Sequence, residues 1–173
     1  ILFPILITAQ DLNPLENEYI IPHISKYTVF QNIQYDTIEG INSNLLSLDI
    51  YVPNETESPT AVVIYIHGGG WHGGDKSNLR LKDEFFIELG YILVSMNYRL
   101  SPSCPPCDLT SEDAIRFPAH PNDVATGVAW VFDNIKEYGG DPKNVSIIGH
   151  SAGAHLSALI STNEFFLNKN GKS

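Results

Sequence analysis

The sequence predicts a doubly wound α/β fold around a mostly parallel β-sheet. Two continuous runs of β-branched and aromatic residues, at 61–66 and 91–96, are typical of strands that are covered on both faces. Segments with helical periodicity alternate with strands through the middle of the chain, as parallel neighbours require. Because 43% of the 173 residues are hydrophobic, the chain can bury one core. We therefore expect a single domain over residues 11–173.

Two further strands flank this predicted centre. Apolar and polar residues alternate from 46 to 52, which predicts a half-buried strand at the outside of the sheet, ended by Pro53. Residues 145–148 form a short β-branched run after the turn at Asp141-Pro142. Four strands are thus predicted between residues 46 and 148.

Three helices are predicted between and after these strands. Apolar side chains recur at helical spacing between the two central strands, at Leu81, Phe85 and Leu89. The same spacing continues from about 121 to 138 and ends at two glycines. An alanine-rich segment at about 152–160 predicts the third helix. This alternating order is the one that predicts the doubly wound sheet.

The charge balance excludes some partners. Twenty Asp and Glu residues against ten Lys and Arg give a formal net charge of -10 at pH 7. This charge repels phosphate backbones and anionic lipid headgroups, so we expect no nucleic-acid partner. The apolar run at 1–9 is too short to span a bilayer, which takes about 20 residues, so no stable membrane span is expected.

The start of the chain suggests secretion. An apolar run that ends in a small residue resembles the back half of a signal peptide, which predicts that residues 1–10 are its remnant. A buried terminal strand and a cytoplasmic protein are the alternatives. Asn54 begins an Asn-Glu-Thr sequon in a Pro-flanked polar loop and is a candidate N-glycosylation site. A second sequon, at Asn144, lies where a strand is predicted to begin.

The only two cysteines, Cys104 and Cys107, lie in a Pro-rich loop. Zinc would need two further ligands, and the sequence offers no second cysteine pair and no suitably spaced histidine pair. A redox pair normally opens a helix after a strand, which Pro105 and Pro106 do not favour. Two alternatives stay open: a short-loop disulfide between Cys104 and Cys107 in a secreted protein, or two free thiols.

The pentapeptide GHSAG at 149–153 matches the pattern of a nucleophile elbow. In that turn, a strained link between a strand and a helix presents the serine hydroxyl above the sheet. Here the motif stands between a β-branched run and an alanine-rich helix start, which is the context that the turn needs. We therefore predict Ser151 as a catalytic nucleophile.

A second motif, HGGGW at 67–71, directly follows the first central strand. Glycines leave backbone N–H groups unshielded, so these groups can stabilise the negative oxygen of a tetrahedral intermediate. We predict that Gly69 and Gly70, with Ala152 beside the nucleophile, form an oxyanion hole. An anion-binding nest or a flexible glycine loop is the alternative; a phosphate site would favour basic neighbours and a helix start, whereas Trp71 and His72 come next.

These motifs belong to a stretch, from about Leu48 to Ser161, that resembles α/β-hydrolase esterases with an HGGG-type oxyanion loop. The matching runs are HGGGWHGGDKS, NYRLSP, FPAHPNDV, YGGDPKNV and GHSAGAHL. Similar combinations occur in bacterial carboxylesterases, prenylcysteine methylesterases and kynurenine formamidases. The resemblance implies an α/β-hydrolase fold and a serine mechanism that needs no metal or cofactor, and it leaves the substrate open.

The catalytic acid and histidine of this fold follow the serine in sequence, yet only 22 residues of the 173 follow Ser151. Glu164 is the only carboxylate side chain among them, and the helix would carry His155 away from the serine hydroxyl. We therefore expect an N-terminal fragment, inactive by itself, with the last strands of the sheet and both triad partners beyond residue 173.

The complete protein is predicted to hydrolyse small-molecule carboxylic esters through an acyl-enzyme on Ser151. Trp71 and Tyr98 are candidate substrate-binding residues that would line an acyl or alcohol pocket; a place in the core beside the sheet is the alternative. The stretch between Pro102 and Phe117 is an insertion, either at the rim of the site or on the surface. An amidase acting on an aryl formamide and a non-catalytic binding protein with the same fold remain the alternatives.

Overall fold

The computed structural model describes residues 26–56, 58–102, 110 and 114–172. The candidate signal-peptide remnant at 1–10 and both cysteines, Cys104 and Cys107, lie outside these residues. Asn54 lies in an exposed turn directly after a strand, where its side-chain oxygen accepts a hydrogen bond of 2.9 Å from the Thr28 hydroxyl.

A five-stranded sheet forms the centre of the molecule. Its strands are β1 (Tyr27–Gln34), β2 (Ser47–Pro53), β3 (Thr60–Ile66), β4 (Ile92–Met96) and β5 (Gly140–Gly149). They lie in the order β1-β2-β4-β3-β5, with β2 antiparallel to both of its neighbours and β3 parallel to both of its own. Four of the five strands therefore run in one direction, which confirms the mostly parallel sheet.

Helices cover both faces of this sheet. They are α1 (Lys82–Glu88), α2 (Ala119–Asn134), α3 (Ala152–Thr162) and α4 (Glu164–Asn168), and 3-10 turns occupy Ser43–Leu46 and Ile135–Tyr138. Alternate residues of β3 divide the core: Val62, Ile64 and Ile66 pack on the side of α2, α3 and α4, while Val63 and Tyr65 pack on the side of α1. This two-sided packing confirms the doubly wound α/β fold. None of the helices in the described residues is long and apolar enough to cross a membrane.

The strand predicted at 46–52 is not the outer strand. β1 pairs along its free side, and the polar positions of β2 are buried as well, with Ser47 at 1% and Asp49 at 2% exposure. Alternation of apolar and polar residues normally indicates one solvated face, but here Asp49 is buried against the ammonium group of Lys76. A buried ion pair thus produced the same sequence pattern as a solvated face.

The helix predicted from Leu81, Phe85 and Leu89 is present as α1, but these three side chains are 69%, 58% and 56% exposed. The sheet is covered instead by Ile87, which is 6% exposed, and by the partly buried Phe86. The spacing therefore identified the helix and not the face that it buries.

Candidate active site

Ser151 lies in the turn that joins β5 to α3. Its backbone has φ 51° and ψ -117°, a positive φ that few residues other than glycine adopt. Such strain is retained where the surrounding structure fixes the backbone, and it is the property of a nucleophile elbow. The Ser151 side chain is exposed, while Ala152 and Gly153 after it are buried.

The two glycines of the elbow are required by close packing. A Cβ atom on Gly149 would lie 2.4 Å from the carbonyl carbon of Gly153, and one on Gly153 would lie 2.2 Å from the carbonyl oxygen of Ile66. Backbone atoms cannot yield at such distances, so any side chain would open the turn. The start of α3 is thereby pressed against the end of β3.

The segment from His67 to Gly74, called the glycine loop below, lies directly beside the nucleophile. The amide of His150 donates to the carbonyl oxygen of Ile66 over 3.1 Å, which joins the ends of β5 and β3. A Cβ atom built on Gly68 would lie 3.2 Å from the Cβ atom of Ser151. The two motifs that the sequence singled out are therefore adjacent in space.

Two amides of the glycine loop are hydrogen-bonded to the same carbonyl oxygen within the loop. The amides of His72 and Gly73 both donate to the carbonyl oxygen of Gly69 over 3.1 Å. Among the described residues, no hydrogen bond uses the amide N–H of Gly69, Gly70 or Ala152. These three N–H groups, which the sequence predicted as oxyanion donors, are thus left for another acceptor.

His67 and Tyr98 support the glycine loop from below. The ring of His67 stacks on that of Tyr98 with a centroid separation of 4.5 Å, and the Tyr98 hydroxyl donates to the His67 carbonyl over 3.1 Å. Nδ1 of His67 donates to the Gly68 carbonyl over 2.8 Å. Burial lowers the pKa of His67, and the bond to Gly68 opposes part of that shift. Burial also raises the pKa of Tyr98 to about 12. Tyr98 has no exposed surface, so it lines neither of the two clefts described next.

A polar cleft of about 330 Å³ lies on one side of the nucleophile turn. His150 and the start of the glycine loop form one wall of this cleft, and Asn78, Arg80 and Lys82 form another. Nζ of Lys82 also lies 4.9 Å from the ring centroid of Tyr65, which lines the same cleft. The cleft beside His150 therefore carries positive charge.

A second, mostly apolar cleft of about 280 Å³ lies beside the start of α3. Trp71 and His155 meet edge to face in its wall, with ring centroids 5.6 Å apart. Phe117 and Pro121, at the start of α2, and Leu156 of α3 complete the apolar lining. Trp71 thus lines a cleft, and His155 is exposed there rather than packed in the core. Phe117, at the end of the insertion that follows Pro102, was not named as a substrate contact from the sequence.

None of the described histidines is hydrogen-bonded to the Ser151 hydroxyl. His67 contacts Gly68, His72 contacts the carbonyl of Pro102, and His120 contacts the hydroxyl of Ser101. In the described parts of the chain, no group of three or more His, Cys, Asp or Glu side chains could hold a metal ion. Among the described residues, the Ser151 hydroxyl therefore has no histidine partner.

A strained serine turn after β5, beside a glycine loop after β3, is the arrangement that is typical of the α/β-hydrolase fold. The chain belongs to the BD-FAE family, whose model matches residues 48–172. It is 42% identical over 99 residues to Esterase LipQ of Mycobacterium tuberculosis (strain ATCC 25618 / H37Rv), covering 57% of this chain and 21% of that protein. It is 32% identical over 111 residues to a probable isoprenylcysteine alpha-carbonyl methylesterase of Oryza sativa subsp. japonica, covering 64% of this chain and 24% of that protein.

Solved structures agree with this assignment. Esterase B from Lactobacillus Rhamnosis (HN001) matches with a TM-score of 0.65 and 25% identity, covering 86% of this chain and 44% of that chain. A truncated form of a carbohydrate esterase from gut microbiota matches with a TM-score of 0.62 and 27% identity, covering 80% of this chain and 45% of that chain. The chain thus spans under half the length of these structures and about a quarter or less of the curated relatives above.

Proposed function

We propose that the protein hydrolyses small-molecule carboxylic esters with Ser151 as the nucleophile. The observation that carries this proposal is the strained, exposed serine directly beside three amide groups without an acceptor among the described residues. The esterase names of its relatives support it. We propose that a histidine and an acid outside the described residues carry out the proton transfer, since no described histidine is hydrogen-bonded to the Ser151 hydroxyl.

The mechanism follows from these positions. Oγ of Ser151 attacks the ester carbonyl carbon, and the carbonyl oxygen becomes negative in the tetrahedral intermediate. The N–H groups of Gly69, Gly70 and Ala152 donate to that oxygen; Ala152 is the first residue of α3, whose N-terminus adds positive potential. Collapse of the intermediate releases the alcohol and leaves an acyl group on Ser151, which water then removes.

The two clefts provide space for the two halves of an ester. We propose that Trp71, Phe117 and Leu156 bind the apolar half, since the cleft that they line is almost entirely apolar. The polar cleft beside His150 would take the other half or the proton-transfer histidine. Trp71→Ala in the complete gene product is therefore expected to raise KM more for a long-chain ester than for an acetate ester.

Replacement of the nucleophile tests the proposal. In the complete gene product, Ser151→Ala is expected to lower kcat on p-nitrophenyl acetate by at least about a thousandfold, without loss of folding. Ser157→Ala is the matched control, since Ser157 lies on the same helix and bonds only the carbonyl of Gly153. Turnover that survives Ser151→Ala would refute the proposal. Hydrolysis of an N-formyl aryl amide, assayed at the same concentration as the ester, distinguishes an amidase from an esterase.

We further propose that the protein enters the secretory pathway. The apolar run at 1–9 and the exposed sequon at Asn54 support this. N-terminal sequencing of the protein from its natural host is expected to give a start at Ile7 or later, and a start before Ile7 would contradict it.

The mass shift after reduction and alkylation decides between a Cys104–Cys107 disulfide and two free thiols.

A further inference from the structure

A buried ion pair lies where the glycine loop returns to the sheet. Nζ of Lys76 is 2.7 Å from Oδ1 of Asp49, and the two side chains are 5% and 3% exposed. Nζ also donates to Oδ1 of Asn32 over 2.8 Å, while the amide of Asn32 donates to the same Asp49 oxygen over 2.7 Å. The three residues form a closed network that joins β1, β2 and the segment that follows the glycine loop.

The backbone of Lys76 is fixed as well. Its amide donates to Oδ1 of Asn97 over 2.7 Å, and its carbonyl accepts from the Ser95 hydroxyl over 2.7 Å. Both partners belong to β4 or directly follow it. The backbone amide, the backbone carbonyl and the ammonium group of Lys76 are therefore all bonded to strands of the sheet or to the residue that follows β4.

The preceding residue strengthens this attachment. Burial alone would raise the pKa of Asp75, but hydrogen bonds from Ser77, Asn97 and Asn44 outweigh it and hold that pKa well below its usual range. The side-chain amides of Asn97 and Asn44 lie 3.0 and 3.1 Å from the carboxylate. Asp75 is thus ionised and bonded to β4 and to the 3-10 turn before β2.

A buried ion pair is a poor way to increase stability. Removing two charges from water costs several kcal/mol each, so an apolar pair of similar volume is often equally stable or more stable. β1 also has a bulge between Phe30 and Ile33. Asn32 lies in this bulge at φ 57° and is hydrogen-bonded to both members of the ion pair. The function of this network therefore lies in the geometry that it imposes.

That geometry concerns the oxyanion donors. The glycine loop contains five glycines among eight residues, so its backbone has unusual conformational freedom. It begins at the end of β3, and halfway along it the Trp71 carbonyl accepts from the amide of Ser101 over 2.8 Å and Nδ1 of His72 lies 2.9 Å from the carbonyl oxygen of Pro102. After the loop, the chain is bonded to the sheet again by Lys76, next to Asp75. We propose that Lys76 and Asp49 are positioning residues that hold the N–H groups of Gly69 and Gly70 at the height of the Ser151 hydroxyl. This inference rests on the proposed esterase function.

The test replaces the ion pair by an apolar pair in the complete gene product. Lys76→Met combined with Asp49→Leu is expected to fold and to melt within a few degrees of the wild type. It is expected to lower kcat at least tenfold and to change KM less than threefold, because oxyanion donors act in the transition state. The matched control is Lys26→Met combined with Glu88→Leu, which removes an exposed ion pair of 2.8 Å and should leave kcat unchanged.

Hydrogen exchange provides a readout that does not need activity. The amides of His72 and Gly73 are bonded to Gly69, so a loosened loop should exchange them at least tenfold faster in the Lys76/Asp49 double variant. Amides of β4 should exchange as in the wild type. If the gene product shows no Ser151-dependent turnover, the proposed function fails, and the exchange rates still decide whether the pair fixes the loop. Wild-type kcat in the double variant, or unchanged exchange, overturns the positioning role.

If the double variant fails to fold, the single variant Asn32→Ala replaces it. This change removes the amide oxygen that accepts from Lys76 and leaves the ion pair in place. We expect a smaller fall in kcat, about threefold, with the same acceleration of exchange at His72 and Gly73. No change in either quantity contradicts the inference.

Discussion

Ser151 keeps its positive φ because the residues two before and two after it have no side chain. Gly149 and Gly153 approach each other, and Gly153 approaches the carbonyl of Ile66 at the end of β3. The same residues therefore shape the turn and seat α3 against the sheet. Because the requirement is local, it is readable in the sequence as a five-residue motif.

Gly153→Ala is expected to destabilise the protein by more than about 2 kcal/mol, because its Cβ would lie 2.2 Å from the Ile66 carbonyl oxygen. Gly73→Ala is the matched control from the neighbouring loop. A Cβ atom there meets nothing within 4 Å, and its φ is not positive, so the change should be neutral or stabilising by up to about 1 kcal/mol. Urea unfolding measures both, and equal effects would refute the packing argument.

Two buried histidines make stability depend on pH. Burial lowers the pKa values of His67 and His120; for His120, nearby Asp123 opposes the shift, while Arg99 and His72 increase it. In the unfolded chain the pKa of a histidine is about 6.5. Just below pH 6.5, the unfolded chain therefore binds more protons than the folded chain. Stability contributed by the neutral rings is complete above about pH 6.5 and is lost as pH falls toward the folded pKa values.

His120→Gln is accordingly expected to reduce the loss of stability between pH 7.5 and 5.0. Nε2 of His120 lies 3.0 Å from the Ser101 hydroxyl, a contact that a glutamine amide can retain. The urea midpoint at both pH values provides the measurement. A variant as sensitive to pH as the wild type would show that His120 does not contribute.

The site residues that sequence reasoning missed are those held by distant contacts. Asp49 and Lys76 are 27 residues apart in the chain, and neither belongs to a motif that names a role for it. Ser151, Gly69 and Gly70 were singled out from the sequence because each lies in a short motif that local backbone geometry requires. Tyr98 was named as a candidate substrate contact, but burial beneath the glycine loop depends on the packed fold.

At the scale of elements, helical periodicity identified α1 but did not identify the face of α1 that is buried. Its periodic residues Leu81, Phe85 and Leu89 are exposed, whereas Ile87 packs against the sheet. Ile87→Ala should cost about 2–5 kcal/mol of unfolding free energy, as expected for a buried aliphatic side chain. Phe85→Ala, at an exposed position, should cost less than about 1 kcal/mol. Chemical denaturation of the two variants checks the difference, and the reverse order would show that α1 buries the predicted face.

The strands were predicted unequally for a physical reason. β3 and β4 are covered on both faces, and continuous β-branched runs identify such strands wherever they occur. β1 was not predicted, because it lies at an edge, is largely exposed and is interrupted by a bulge. The position of β2 depends on β1, so the sequence placed it one strand too far out.

At the scale of the whole molecule, the two edges of the sheet differ. At the β1 edge, the bulge near Asn32 interrupts the regular backbone and hinders pairing with another chain. At the other edge, β5 pairs with β3 alone among the described strands, in regular register from Val145 to Gly149. Ile147 and Ile148 in this segment are only partly buried. An exposed, regular and apolar edge favours association with a further strand.

We therefore expect the 173-residue chain, expressed by itself, to self-associate through β5. Ser146→Lys places a charge on an exposed position of this edge strand and should shift the sedimentation distribution toward the monomer. Gln31→Lys makes the same change in charge on β1 and should leave the distribution unaltered, because the bulged edge does not take part. Equal effects of both variants would indicate repulsion through net charge rather than pairing at β5. A monomeric wild-type chain would mean that the β5 edge is protected.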